Sequence, residues 1–291
     1  MVKTLSQLYS EVRKALLTQE DPQTAGMYAR NLVCHVTGVS PEKILSHSEH
    51  YVGQEECETL HKAVQRILQG EPLAYVLGEW DFYGMTLHVD SHVLIPRDDT
   101  CALANLAIGQ ALFLGSSPRI LDLCTGSGCI GLAIAQRVPD AKVTLADLSR
   151  DALAVAKRNI VAHKLTAHVS CVQVDALKPP APFLGKFDMI VSNPPYVTTK
   201  EMEELPHSVK DFEPAMALHG GEDGLDFYRA ITRNFSAALK PGGYLCFEFG
   251  MGQGDAVCRL LEENGFTVLE RVKDFNERER AVMARYTREE E

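Results

Sequence analysis

Along the first seventy residues apolar positions recur every three or four residues. Leu5, Leu8, Val12 and Leu16 form one such stripe, which predicts an amphipathic helix stopped by Asp21-Pro22. Ala25 to Val36 reads as a second helix with Gly38 behind it, and Ser40-Pro41 starts a short third. Cys57, Leu60, Val64, Ile67 and Leu68 make the stripe of a fourth, closed by Gly70. These predict a small helical bundle with no chemistry of its own. The pattern then changes: Trp80 to Tyr83 and Met85 to Val89 flank Gly84 as a β-hairpin. From residue 98 short apolar runs alternate with helical stretches. Ile120–Leu123, Val143–Asp147, Val169–Val174, Phe187–Ser192 and Tyr244–Phe249 read as strands. Gly128–Val138, Asp151–Ala162 and Asp226–Leu239 read as helices, with Pro241-Gly242-Gly243 turning into the last strand. Such alternation predicts an α/β fold with a parallel, doubly wound sheet. The expected division is a helical domain over 1–74, a linker with the hairpin over 75–96, and an α/β domain over 97–291.

Composition sharpens this picture. A chain of 291 residues, 45% hydrophobic, is long enough for an α/β core plus a smaller domain. The net charge of −10 argues against a protein built to grip a phosphate backbone, and favours a protein partner or small ligand. None of the eight cysteines forms a CxxC pair, and several sit inside apolar runs such as Tyr244-Leu245-Cys246-Phe247, so a reducing cytosol is expected. Met1-Val2-Lys3-Thr4 has no signal-peptide core, and no apolar run approaches membrane-spanning length. The expectation is a soluble, cytoplasmic protein. The tail Glu289-Glu290-Glu291 is expected to fray.

Two loops carry the candidate chemistry. The first, Asp122-Leu123-Cys124-Thr125-Gly126-Ser127-Gly128 and on to Gly131, follows a strand and opens a helix. Its glycines allow close backbone approach to a ligand, and the helix start supplies free N–H groups. Asp147, ending the next strand, can accept hydrogen bonds from both hydroxyls of an adenosine ribose. The same spacing also fits a dinucleotide fingerprint, so a nicotinamide or flavin enzyme stands as a rival. The one Tyr-x-x-x-Lys spacing, Tyr196 to Lys200, belongs to the second candidate loop, and no His–Asp pair supports that rival.

The second loop is more specific. Phe187–Ser192 runs straight into Asn193-Pro194-Pro195-Tyr196. The prolines fix φ and hold the loop extended. The Asn193 side chain and a proline carbonyl present two acceptors at fixed spacing, suited to both hydrogens of a planar –NH2 group, with Tyr196 as a flat surface beside it. An amide nitrogen is a poor nucleophile because its lone pair is delocalised. Aiming it at an electrophilic methyl is work for positioning and oriented dipoles.

These residues resemble the protein-glutamine methyltransferase family called HemK or PrmC, which acts on class-1 peptide chain release factors. The likeness runs nearly end to end. It includes Gly70-Glu-Pro-Leu-Ala-Tyr75, Phe82-Tyr83-Gly84, Val93-Leu-Ile-Pro-Arg97, Glu213-Pro214 with Leu218, Gly220-Gly221 and Asp223-Gly224-Leu225, and Phe275-Asn-Glu-Arg278 as a closing hairpin. Asn-Pro-Pro-Tyr alone also occurs in enzymes that methylate DNA amino groups. The resemblance implies a class I S-adenosylmethionine-dependent methyltransferase fold and, as partner, a release factor docked with help from the helical domain. No direct nucleic-acid partner, no membrane and a monomer are expected. Cys124, Thr125, Gly126, Ser127 and Gly128 would wrap the methionine part of S-adenosylmethionine, Asp147 its ribose, and Asp175 with Ala176 its adenine. Asn193 would border the cofactor, and Asn193, Pro194, Pro195 and Tyr196 would take the substrate glutamine, with Asn193, Pro194 and Tyr196 as the catalytic set. A non-catalytic cofactor-binding subunit is the further alternative, opposed by the intact Asn-Pro-Pro-Tyr.

Three departures from the family pattern stand out. Pro-Glu-Thr-Glu is replaced by Asp98-Asp99-Thr100-Cys101, so the turn lacks its second acid. Cys124 stands where glycine often begins the cofactor loop. Ala176 replaces an aromatic that some members place beside the adenine. Other features are expected to be inert. The pairs His47/His50 and His88/His92 lack the context of a zinc site. Cys124 lies at a helix start where a thiol pKa can fall, but the chemistry needs no nucleophile. Arg278 to Arg288 reads as a charged, solvated strand edge.

Overall fold

The computed structural model describes residues 3–44 and 46–287; the acidic tail lies outside them. The chain divides into two compact units, one running to Gly78 and including His207–Phe212, the other comprising Glu79–Pro206 and the chain from Glu213. The hairpin expected as a linker belongs to the second unit.

In the helical unit, strand β1 (Lys3–Thr4) pairs with β2 (Tyr51–Val52), and helices α1 (Leu5–Leu16), α2 (Pro22–Thr37), α3 (Gln54–Leu68) and α4 (Leu73–Leu77) pack together. Thr4 and Gln7 form a reciprocal capping box at the start of α1. The stripe Leu5, Leu8, Val12, Leu16 is buried as its spacing requires. Asp21-Pro22 does not stop α1; it starts α2. The Asp21 carboxylate accepts from the Gln23 and Thr24 N–H groups, and Pro22 occupies the first turn, where no N–H is needed. The third helix expected at Ser40-Pro41 is instead a run of turns. There the carbonyls of Ser48 and His50 accept from Ser6 and Leu5, so this segment satisfies N–H groups that α1 cannot pair internally.

The second unit opens with the hairpin of β3 (Glu79–Phe82) and β4 (Met85–His88). Tyr83 and Gly84 both have positive φ, the turn whose twist matches the flanking strands. There follow α5 (Cys101–Ala111), β5 (Arg119–Leu123), α6 (Cys129–Arg137), β6 (Lys142–Asp147), α7 (Arg150–Ala162), β7 (Val169–Gln173), β8 (Phe187–Ser192) and α8 (Thr199–Glu204). After α9 (His207–Lys210), which belongs to the helical unit, come α10 (Asp226–Phe235), β9 (Leu239–Glu248), α11 (Gly254–Glu263), β10 (Phe266–Lys273) and β11 (Glu279–Tyr286). The expected turn at 241–243 is drawn into β9 as an irregularity of its register. Among the described residues no helix is long and apolar enough to cross a membrane.

The seven-stranded sheet has the order β10-β11-β9-β8-β5-β6-β7. It is mixed: β5 to β9 are parallel, while β11 pairs antiparallel with both β9 and β10. The reversal follows from the short 274–278 connection, which leaves no room for the crossover a parallel pair needs. It also corrects the reading of Arg278 to Arg288. β11 is an inner strand whose Arg280 to Met283 are buried, and β10 takes the edge. Strand alternation sorts the core into two layers. Ile120, Val143, Leu145, Met189 and Val191 pack with Leu103, Leu132 and Ala156 of α5 to α7. Leu121, Leu123, Ile190, Leu245 and Phe247 pack with Tyr228, Phe235, Val257 and Leu261 of α10 and α11. The chain order reverses between β5 and β8, where Leu123 lies beside Ser192, so the loops leaving these strands share one crevice.

Candidate active site

The glycine loop is held from below by a buried carboxylate. Asp122 Oδ2 accepts from the Thr125 hydroxyl at 2.6 Å and from the Gly131 N–H at 2.9 Å. Burial pushes its carboxyl up to about 7 despite those two donors. Gly126 donates to Asp147 Oδ2 at 2.9 Å, and Ser149 to Oδ1 at 2.9 Å. Burial raises the Asp147 pKa above the usual carboxylate value, with these N–H groups opposing. Each Asp147 oxygen keeps a lone pair for a ligand. The glycines serve different ends. Gly126 has φ 55 and open space where a Cβ would lie, whereas a Cβ on Gly131 would sit 2.2 Å from Leu145. The first permits the turn; the second permits the helix to lie on the sheet. Asn159, fully buried, ties this loop to the hairpin: it donates to Ser127 O and His88 O and accepts from the His88 N–H.

A cleft of about 930 Å³, counting its open mouth, lies over the loop. Cys124, Thr125, Gly126, Ser127, Asp147, Asp175, Ala176, Asn193 and Pro195 all line it. Gly128 does not; its φ of 87 shapes the start of α6 instead. Leu148, Leu177 and Phe227 add apolar walls that the sequence reading did not name. Two carboxylates at successive strand ends, apolar walls and a backbone cradle suit an adenosine-bearing ligand: the acids can take its donors and the walls its ring.

The second loop is held by other parts of the chain. The Ser192 hydroxyl donates to Leu123 O at 2.6 Å, joining β8 to β5 where both loops begin. A Cβ on Gly220 would lie 2.6 Å from Pro195 O, and one on Gly224 2.2 Å from Tyr196 O, so these glycines are packing requirements. Gln253 donates to Tyr196 O at 3.0 Å and accepts from the Gly250 N–H at 2.9 Å. Asn193 Nδ2 donates to the Thr100 hydroxyl at 3.4 Å, a long bond. Pro194 is buried between Asn193 and Pro195, which both line the cofactor-side cleft. Tyr196 lines a neighbouring groove with Glu201, Asp223 and Gln253 rather than the cofactor-side cleft. Its phenol stays neutral, because burial and the nearby Glu248 push its pKa well up.

Residues 7–78 match the model of the PrmC N-terminal domain, and 105–209 that of the Methyltransferase small domain. A release factor glutamine methyltransferase of Clostridium acetobutylicum is 42% identical over 73% of this chain and 74% of its own. One of Thermodesulfovibrio yellowstonii is 39% identical over 84% and 87%. The chain belongs to the release factor glutamine methyltransferase family. A methyltransferase structure from Pyrococcus furiosus, with 17% identity and a TM-score of 0.50 over 77% of this chain and 98% of that one, shares the fold.

Against this family the three departures acquire physical content. Asp99 Oδ2 bridges to Arg280 at 3.1 Å, and Arg280 donates to Asp274 Oδ2 at 2.9 Å, so the retained acid ties the turn just before α5 to β11. Cys101, in place of the missing acid, is a partly buried thiol whose pKa burial and Asp98 raise. Arg97 pairs with Glu213, which also accepts the Ile95 N–H at 3.1 Å, fixing the Ile-Pro-Arg entry to the Glu-Pro segment. Cys124 has φ 62, a left-handed conformation that explains why glycine is common there. Its thiol is inert, as expected: burial, then Asp147, Asp122 and Asp175, push its pKa up. Ala176 is 4% exposed, and Phe227 is the aromatic side chain on that cleft. Among the described residues no three His, Cys, Asp or Glu side chains are grouped as metal ligands. His92 instead pairs with Asp90.

Proposed function

We propose that this chain transfers the methyl group of S-adenosylmethionine to the side-chain amide nitrogen of a glutamine, within the Gly-Gly-Gln motif of class-1 peptide chain release factors. One observation carries the reading beyond family membership: the pairing of Leu123 with Ser192 puts Asn193 on the wall of the same cleft as Asp147. Cys124 to Ser127 cradle the methionine part, with Gly128 shaping the helix start. Asp147 takes the ribose hydroxyls, and Asp175 and Ala176 flank the adenine. S-adenosylmethionine supplies an electrophilic methyl on a sulfonium. Asn193 Oδ1 and the Pro194 carbonyl accept the two amide hydrogens, holding the nitrogen with its lone pair aimed, and Tyr196 gives the amide plane a flat boundary. The nitrogen gains the methyl and sheds one proton. That proton is strongly acidic once the nitrogen is alkylated, so it passes to water without a dedicated base. The helical unit serves to recognise the intact factor, and the acidic charge favours this protein partner over nucleic acid. The reading includes a cytoplasmic, monomeric enzyme.

The test is incubation with labelled cofactor and a purified class-1 release factor, followed by peptide mass analysis. One methyl on the glutamine of Gly-Gly-Gln is expected, and none on a factor with that glutamine replaced. Label on nucleic acid with none on the factor overturns the substrate assignment. Tight NAD binding without S-adenosylmethionine binding overturns the chemistry.

A further inference from the structure

The amide clamp requires Asn193 to present its oxygen, not its nitrogen, to the substrate. An asparagine amide has two orientations of nearly equal shape, and the wrong one sets donor against donor. Thr100 cannot choose between them, because a hydroxyl accepts from Nδ2 in one orientation and donates to Oδ1 in the other. The group that can choose is Glu248, at the end of β9. It is 2% exposed, and because Ser192 pairs with Phe247 on the adjacent parallel strand, Glu248 is the next residue of β9 where Asn193 is the next residue after β8. Asn193 and Thr100 both favour its charged form. Its Oε2 has no hydrogen-bond partner among the described residues. An ionised carboxylate only accepts, so beside Asn193 it stabilises the orientation that turns Nδ2 inward.

We infer that Glu248 is a positioning residue that, through Asn193 and with Thr100, keeps Asn193 Oδ1 turned toward the substrate amide. The long Asn193–Thr100 bond and the free Glu248 oxygen are the slack that closes when substrate draws on Oδ1, since such contacts tighten in the loaded enzyme. Arg280 secures the carboxylate: it favours the charged form of Glu248 and is itself anchored by Asp274. The Tyr228 hydroxyl donates to Glu248 O at 2.8 Å and fixes the backbone beneath.

The inference also sets a pH dependence. Burial pushes the Glu248 carboxyl up to about 7. Once protonated it can donate to Oδ1 and stabilise the unproductive orientation, so turnover falls as pH drops through that value. The titratable or charged groups facing Glu248 are Asp99, Cys101, Cys129, Tyr196, Tyr228 and Arg280. A variant at Glu248 itself is therefore needed to assign the profile.

This inference rests on the amide-clamp reading, and the experiment separates the two. Single-turnover rates and cofactor affinities are measured for wild type, E248L, E248Q, N193A and E248L with N193A, between pH 5.5 and 8.5. E248L is expected to lose about tenfold or more in turnover with cofactor affinity within about twofold, the scale on which misplacing a positioned group acts. In the N193A background E248L should cost nothing further, because a residue acting through Asn193 has nothing left to position. E248Q should lose the acid limb of the wild-type profile, which keeps the test available if E248L folds poorly. Wild-type turnover in E248L, an undiminished loss in the N193A background, or a wild-type acid limb in E248Q each overturns the role of Glu248. N193A turning over like wild type overturns the clamp itself, whatever Glu248 does.

Discussion

The two loops leave adjacent parallel strands at the same crevice, yet they are held in opposite ways. The glycine loop is held mostly by its own backbone and the strands beside it, with Asn159 reaching Ser127 O from further along the chain. Its shape comes from positive φ at Cys124, Gly126 and Gly128, from Asp122 a few residues back, and from Asp147 on the neighbouring strand. The Asn-Pro-Pro-Tyr loop depends on distant segments: Gly220, Gly224 and Gln253 around Tyr196, and Thr100 on Asn193. A cofactor cradle must bind the same small molecule each time, and local backbone geometry suffices. A loop that aims a substrate amide needs its side-chain orientation fixed, and two prolines cannot do that for Asn193.

The contrast is sharpest in Asn193→Ala. Turnover should fall about 10²–10³-fold, the usual effect of removing one preorganised dipole, with cofactor affinity nearly unchanged because the other loop is intact. Single-turnover rates and cofactor titration on the same preparation check both halves. An equal loss in both would mean that the two loops form one unit. Asp147→Ala is the complementary change and should weaken cofactor binding by about 1.5–3 kcal/mol, the scale of hydrogen bonds to a charged group. With saturating cofactor its turnover should recover most of the way, which Asn193→Ala cannot do. Calorimetry followed by rates at high cofactor tests that asymmetry.

How the loops are held also decides what could be read from sequence. Cys124 to Gly128, Asp147 and Asn193 to Tyr196 are legible because each lies where a strand ends, and strand ends follow from local periodicity. Glu248 and Arg280 are not. Glu248 closes an apolar strand like any polar residue at a strand end. Arg280 sits in a run of charges that reads as solvated, yet Asp99, 181 positions away in sequence, and Asp274 let it be buried. A charge is buried only when a partner is at hand, and the partner depends on strand order, which periodicity does not encode. The same gap made β11 look like an edge. The split of the Asn-Pro-Pro-Tyr loop, with Asn193 and Pro195 on the cleft and Tyr196 on the groove, likewise depends on what packs against it.

Gly220→Ala probes the distant support directly. The added methyl meets Pro195 O and Tyr196 Cα, backbone that cannot swing aside, so a loss of about 1–3 kcal/mol in stability is expected with turnover reduced. Cofactor affinity should hold, because the atoms that crowd an added methyl belong to Pro195, Tyr196 and Gly224 and not to the glycine loop. Thermal melts with and without cofactor separate the effects: the cofactor-induced rise in Tm should match wild type while the starting value is lower. A variant that loses the rise as well would show that the supports of the two loops are coupled.

The smallest effect is expected from Cys124→Gly, and it asks whether the first loop works through backbone alone. At φ 62 a residue with a Cβ is strained by about 1–2 kcal/mol, which glycine relieves. Glycine also frees the unfolded chain, returning about 0.5–1 kcal/mol of that gain, and the thiol packing is lost. The net change should be about 1 kcal/mol or less, a Tm shift of roughly 2–4 °C at most. The thiol is not a reactive one, since burial and three neighbouring carboxylates push its pKa up, so no chemistry leaves with it. Turnover should stay within about twofold of wild type, and cofactor affinity should change little, because the N–H groups that form the cradle belong to the backbone. If turnover instead falls tenfold while Tm is unchanged, the Cys124 side chain takes part in the reaction. The glycine loop would then resemble its neighbour, in that the identity of a side chain as well as the backbone decides what it does.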